Sequence, residues 1–384
     1  MYICLHSILS GCSIVHILLN LGEKMKVYGA SVSYYTGKLE TYLRYKGIAY
    51  ERGSPYGVRQ EIMEQLGSIQ HPMMKRSDGR WMSDSTPMIL QFETEFPERS
   101  ILPQDPVVEF VAHLIEDYAD EWLWRAAMHY RWSYDHDREL LSRILADELT
   151  AHVKLPRFWL CRMLKNRQLK GFVINDGVTS ETREHVEAGY HRILVLLSSV
   201  LELRPFVLGD KPSLADIGLM GPMLRHFGQD PTPAEIMRDT APRVFEWLGR
   251  MWNASQQSTD GEFLSVISSD LTPMLKEICE THLVQLIGNA NAWHQKQDKF
   301  SMTVQSCHYQ QLPVSRYRVY CLEMLRERFA CLDEASKNIV KALLPFEPAE
   351  ILWQDDLQAK SDYDEARQAP FNKAINVFDG GVPS

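Results

Sequence analysis

The chain lacks paired cysteines: its seven, Cys4, Cys12, Cys161, Cys279, Cys307, Cys321 and Cys331, never fall at the C-x-x-C spacing of a redox site or zinc knuckle. That scatter excludes a disulfide scaffold and fits reduced thiols in a cytoplasmic compartment. Cys307-His308 supplies only two of the four ligands that a structural zinc needs, so no metal site is expected. Basic excess is also missing. Forty-one Lys and Arg against 50 Asp and Glu give a net charge of −9, which disfavours nucleic acid and anionic membranes as partners. Internal repeats and low-complexity tracts are absent as well. A length of 384 residues, 45% hydrophobic and 24% charged, therefore reads as an ordinary globular protein of two or three domains.

Only one long apolar run occurs, from Ile3 to Leu21, and it could serve as a marginal membrane span or a signal-peptide core. No Lys or Arg precedes it, no small-x-small cleavage site follows, and His6, His16 and Asn20 interrupt it. Met25 heads a well-formed strand, MKVYGA. Residues 1–24 are accordingly read as a dispensable leader, and no membrane association is expected beyond whatever they supply.

From Lys26 the pattern runs strand, turn and helix, with Leu39, Tyr42 and Leu43 at helical spacing before Gly47. A second strand at 47–51 and a helix over 57–66 follow. MMKRS and RWMSD flank Asp78-Gly79, a strong hairpin signal, and a helix is expected over 86–96. The order βαβαββα thus occupies residues 25–100. Pro103 and Pro106 bracket a linker, and residues 105–254 read as all-helical, beginning with one long helix over 106–132. The polar stretch 255–262 marks a boundary. Residues 255–384 form a mostly helical extension, with helices near 270–295 and 316–344 and a hairpin around 301–312.

The small α/β unit, with a proline opening its third strand and a helical domain after a short linker, resembles the glutathione S-transferase superfamily. His71-Pro72-Met73-Met74 stands where that family has Val-Pro-x-Leu with a cis proline, and Asp84-Ser85 stands where it has an acidic-Ser pair. The resemblance implies a thioredoxin-like glutathione-binding domain, an all-α domain, and glutathione held by His71, Pro72, Asp84 and Ser85. Helix N-terminal amides and the Ser hydroxyl would take its γ-glutamyl carboxylate, and Asp84 its amine. Ser33-Tyr34-Tyr35-Thr36-Gly37-Lys38 occupies the place of the family's Ser-Pro-Tyr-Ser-x-Lys. By position Ser33 would support the glutathione thiolate, with Tyr35 and Thr36 as rival donors and Tyr28 a weaker one. Ser33 could instead be a turn serine that only caps the helix.

Where thiol-transferring branches carry Cys this chain has Ser33, so conjugation is expected over disulfide exchange. Pro205 to Gly209 followed by Ser213-Leu214-Ala215-Asp216 matches the helical domain's N-capping box, which is structural. The implied function is a cytoplasmic, detoxifying glutathione S-transferase and homodimer, with glutathione as co-substrate, no bound cofactor and a small apolar electrophile. The alternative is a non-catalytic binding or scaffold protein of the same fold. His71 and Met74 depart from the family's small aliphatics, and Thr86-Pro87 from its small pair. The acidic run Glu116, Asp117, Asp120 and Glu121 reads as a solvated face along an interdomain cleft. Arg316, Arg318, Arg326 and Arg328, with Tyr317 and Tyr320, read as a surface helix covering the transferase core.

Overall fold

A computed structural model describes residues 24–374 apart from 56, 151, 256–259 and 355–359. The expected leader, except Lys24, lies outside the described residues, and among these no helix is long and apolar enough to cross a membrane. Strands β1 (Met25–Tyr28), β2 (Tyr50–Gly53), β3 (Met73–Lys75) and β4 (Trp81–Ser83) form one sheet in the order β2-β1-β3-β4. β1 and β2 are parallel, with Met25 opposite Tyr50, and β3 is antiparallel to both β1 and β4. The parallel pair needs a crossover, which helix α1 (Tyr34–Lys46) provides. Ser33 caps α1, and Gly47 ends it at φ 69°, a left-handed position where a side chain would be strained. Helices α2 (Arg59–Leu66) and α3 (Ser85–Glu95) complete the βαβαββα unit, a thioredoxin-like arrangement.

The next layer is helical: α4 (Pro106–Glu121), α5 (Leu123–Ser133), α6 (Asp135–Leu149), α7 (Arg157–Gln168), α8 (Arg183–Leu203), α9 (Leu214–Pro222), α10 (Pro231–Thr240) and α11 (Pro242–Asn253). The sequence reads 106–132 as one helix, but the backbone breaks at Trp122 between α4 and α5. Helix α9 lies directly against α4, because Gly218 has no Cβ to strike the Glu116 Cα, which would stand 2.7 Å away. Ser213 and Asp216 form the capping box that opens α9. The buried Asp216 carboxylate also accepts from Val207 N at 2.9 Å and Trp247 Nε1 at 3.2 Å, so it pins the preceding loop to α11.

Beyond residue 262 the chain folds back as α12 (Thr272–Ile278), α13 (Val284–His294), the hairpin β5 (Lys299–Val304) and β6 (Cys307–Pro313), α14 (Arg316–Cys331) and α15 (Glu334–Leu343). The hairpin's two turn residues, Gln305 and Ser306, both take positive φ, the twist a two-residue connection requires. The expected single helix over 316–344 is two, divided where Asp333 caps α15 by accepting from Ser336 N at 2.7 Å. Near the end, Ser83 N of edge strand β4 donates to Pro370 O at 3.0 Å, and Ala374 N donates to Leu66 O at 2.9 Å. The extension therefore closes on the sheet unit as well as on the helices.

One buried cluster joins these layers. Lys38 of α1, with no exposed side-chain surface, pairs with Glu116 and Asp120 of α4 and donates to Thr86 Oγ1 of α3 at 2.8 Å. Burial alone would lower the lysine pKa, but the Asp120 and Glu116 carboxylates outweigh it and hold it above the ordinary value. The ammonium thus stays charged. Replacing it leaves two carboxylates buried without a counter-charge, so Lys38→Met is expected to cost about 3 kcal/mol or more in denaturant unfolding. Adding Glu116→Gln should recover part of that loss.

Candidate functional site

Pro72 follows a cis peptide bond from His71 and leads into β3. The next strand, β4, delivers Asp84 at φ 72° and then Ser85, the first residue of α3. Sheet pairing between β3 and β4 sets Met73 opposite Ser83, which brings the two predicted binding motifs side by side. Both face a cavity of about 1280 Å³ lined by His71, Pro72, Asp84 and Ser85 on the sheet side. Trp124 and Phe172 line it from the helical layer, their rings in edge contact at 5.8 Å. The cavity is somewhat larger than a typical small-molecule site, with room for more than one ligand, and has the mixed apolar and polar lining of such a site.

The predicted thiolate donors are placed less uniformly. Ser33 is half-buried at the N-cap of α1, its Oγ accepting from Thr36 N at 3.4 Å, and it is not among the residues that line the cavity. Tyr35 does line it and stacks on Trp124 at 5.5 Å, but its hydroxyl donates to the Asp120 carbonyl at 2.9 Å. Thr36 is buried within α1. Tyr28 packs on Trp81 in a separate apolar cluster with Ile62 and Leu66, away from these residues. Burial pushes His71 down to about 4, so its imidazole is neutral near pH 7. Its Nδ1 then accepts from Ala30 N at 3.4 Å and steadies the loop before Ser33. On that loop Ser31 N donates to Glu148 of α6 at 2.7 Å.

One expectation is corrected here and another is refined. The acidic run on α4 is a cleft wall but not a solvated one: Glu116, Asp117 and Asp120 are each under 10% exposed. Each has a cation or imidazole facing it. Lys38 answers Glu116 and Asp120, His282 lies 2.7 Å from Asp117, and Arg318 lies 3.2 Å from Glu121. Helix α14 covers the core as expected, but more of it is buried than a surface helix implies, its exposed positions being Glu327, Ala330 and Cys331. Its Arg318, Tyr320, Cys321 and Leu325 are buried, and Arg318 bridges Glu121 and Asp176. Helical spacing identified a face on each of these helices but could not tell what that face meets.

The residues that sequence reasoning left out of the site come from the extension. Tyr317 of α14 donates to Asp84 Oδ2 at 2.8 Å, and Tyr363 donates to the same oxygen at 3.4 Å. Tyr317 and Tyr363 meet edge to face at 5.4 Å, with the Tyr320 ring tilted against Tyr363 at 4.5 Å. The only sequence signal was the tyrosine spacing at 317 and 320, which gives no hint of a partner more than 200 residues away. Among the described residues no three His, Cys, Asp or Glu side chains gather as metal ligands would, and the five described cysteines are free thiols.

No family model matches the chain, and no curated protein does. Among solved structures the chain is similar to the beta-etherase LigF from Sphingobium sp. strain SYK-6, at 19% identity and a TM-score of 0.43, over 60% of this chain and 95% of that one. It is also similar to a glutathione S-transferase from Rhodospirillum rubrum F11, at 15% identity and a TM-score of 0.40, over 65% and 91% of the two chains. A third is a glutathione S-transferase from Methylobacterium radiotolerans JCM 2831 in complex with glutathione sulfonate, at 17% and 0.37, over 64% and 99%.

Burial raises the Asp84 carboxyl to about 6, although the Tyr317 hydrogen bond and nearby Lys38 pull it down. An unfolded Asp titrates near 3.9, so the folded chain binds the extra proton between about pH 4 and 6 and loses stability as pH rises through that window. Asp84→Asn removes the charge and suits the left-handed backbone. It is expected to raise the unfolding free energy at pH 7 by about 2 kcal/mol and to flatten the dependence between pH 4 and 6, as read by denaturant titrations across that range.

Proposed function

We propose that the chain is a glutathione S-transferase-like enzyme, with glutathione lying along the Pro72, Asp84 and Ser85 wall and an apolar electrophile against Trp124 and Phe172. The observation that carries this reading is the meeting, in one cavity, of the cis Pro72 turn, the start of α3 and an aromatic wall from the helical layer. At that helix start the first backbone N–H groups have no intrahelical acceptor, which suits the γ-glutamyl carboxylate, and the Asp84 carboxyl suits its ammonium. Tyr317 and Tyr363 would share Asp84 with that ammonium, so the extension supplies part of the binding wall.

Ser33 would act on the sulfur. Its oxygen accepts from Thr36 N, which leaves the hydroxyl proton to donate toward a thiolate at the positive end of α1. A free thiol with a pKa near 8.5 is only a few per cent ionised at neutral pH, and each unit of lowering corresponds to about 1.4 kcal/mol of thiolate stabilisation. The thiolate electron pair forms the carbon–sulfur bond as the leaving group departs with its own pair, or as an activated double bond takes the displaced pair and then a proton.

A second reading, a binding protein without catalysis, is favoured by the position of Ser33 off the cavity lining and by the commitment of the Tyr35 hydroxyl to a backbone carbonyl. Conjugation of glutathione to a generic aryl halide, with affinity by calorimetry, separates the two. The enzyme reading expects Ser33→Ala to lower kcat/KM by about 10- to 100-fold with binding retained, the loss of one hydrogen bond to a charged acceptor. It expects Asp84→Ala to weaken glutathione binding about tenfold or more. Binding without turnover in the unaltered chain would keep the site and leave the electrophile open, and no binding at all would defeat the enzyme reading and leave a scaffold of the same fold.

A further inference from the structure

Although the chain as a whole is negative, one exposed stretch reverses the sign. Between His152 and Asn175 there is no acidic residue and there are six cations, Lys154, Arg157, Arg162, Lys165, Arg167 and Lys170. Arg157 pairs with Asp147 and Lys165 with Glu139, both on α6. Among the described residues the other four have no ion-pair partner and stand exposed. Large apolar side chains are interleaved with them. Leu155 is 50% exposed, Phe158 65%, Trp159 51%, Met163 58% and Ile174 53%, and the Phe158 and Trp159 rings lie 5.3 Å apart. Helix α7 spends only Leu160, Cys161 and Leu164 on the core.

Exposed apolar side chains at this density mark an interaction surface, and the charge selects what meets it. A second copy of the chain would set four unpaired cations against four more. A nucleic acid would answer the charge and could stack on Phe158 and Trp159, but it leaves Leu155, Met163 and Ile174 in water. An anionic lipid surface answers both: aromatic rings settle at the headgroup level, aliphatic side chains reach the acyl boundary, and long basic side chains extend to phosphates. We propose that this face docks on the surface of a bilayer containing anionic phospholipid, with Phe158, Trp159 and Met163 inserted and Lys154, Arg162, Arg167 and Lys170 on the headgroups. The π-helical turn that continues α7, Leu169–Ile174, also supplies Gly171 and Phe172 to the cavity wall, so docking would hold the cavity beside the lipid. The inference does not depend on what the cavity binds.

The test is sedimentation of the full chain with extruded vesicles of phosphatidylcholine alone or mixed with phosphatidylserine. Binding to the mixed vesicles only, weakened at high salt, is expected. Arg162→Glu with Lys170→Glu should cut partitioning about tenfold or more, and so should Phe158→Ala with Trp159→Ala, all four positions being exposed and circular dichroism checking the fold. Equal binding to both vesicle types, no binding, or binding that neither double variant weakens would overturn the proposal. So would capture of a single-stranded oligonucleotide in preference to the vesicles, or a dimer in ultracentrifugation that the same variants dissociate.

Discussion

The Lys38 ammonium is the point at which three helices meet, and the geometry of the cavity follows from it. A charge with no exposed surface has to remain within reach of its counter-charges, so α1 cannot slide along α4 without separating Lys38 from Glu116 and Asp120. Thr86 takes part in the same cluster from the first turn of α3, one residue after Ser85. The start of α3, the cap of α1 and the helical wall are thereby fixed relative to one another. Hydrophobic packing surrounds this cluster, but packing is tolerant of small shifts in a way that a buried ion pair is not.

Helix α4 repeats the device along its length. Its acidic side chains are divided among distant partners: Lys38 from the first crossover, His282 from the turn between α12 and α13, and Arg318 from α14. The extension is therefore tied to the wall of the cavity by buried charge and, through Tyr317 and Tyr363, to Asp84 on the opposite wall. Pro370 and Ala374 add backbone hydrogen bonds to the sheet unit. An extension attached at so many points is part of the site's architecture, not an appendage to it.

Features governed by neighbours in sequence were readable in the sequence. The Asp78-Gly79 turn, the Gly47 stop, the Ser213 to Asp216 box and the proline opening β3 each depend on a few adjacent residues, and each stands where the residues indicate. Pairings across the chain were not readable. The spacing of Glu116, Asp117, Asp120 and Glu121 describes a helix face, yet nothing local tells water from a buried imidazole 165 residues away. The partners of Arg318 and Tyr317 were unreadable for the same reason.

The proposed glutathione site has the Pro72 and Asp84–Ser85 junction as its polar wall and the extension as its cover. Hydrogen–deuterium exchange of the full chain with and without glutathione tests it most directly. Slowed exchange in 71–75 and 83–88, accompanied by a change in 316–324 and 360–370, is the result the account predicts. Exchange unaltered in all of these segments at saturating glutathione, or altered only outside them, would contradict it.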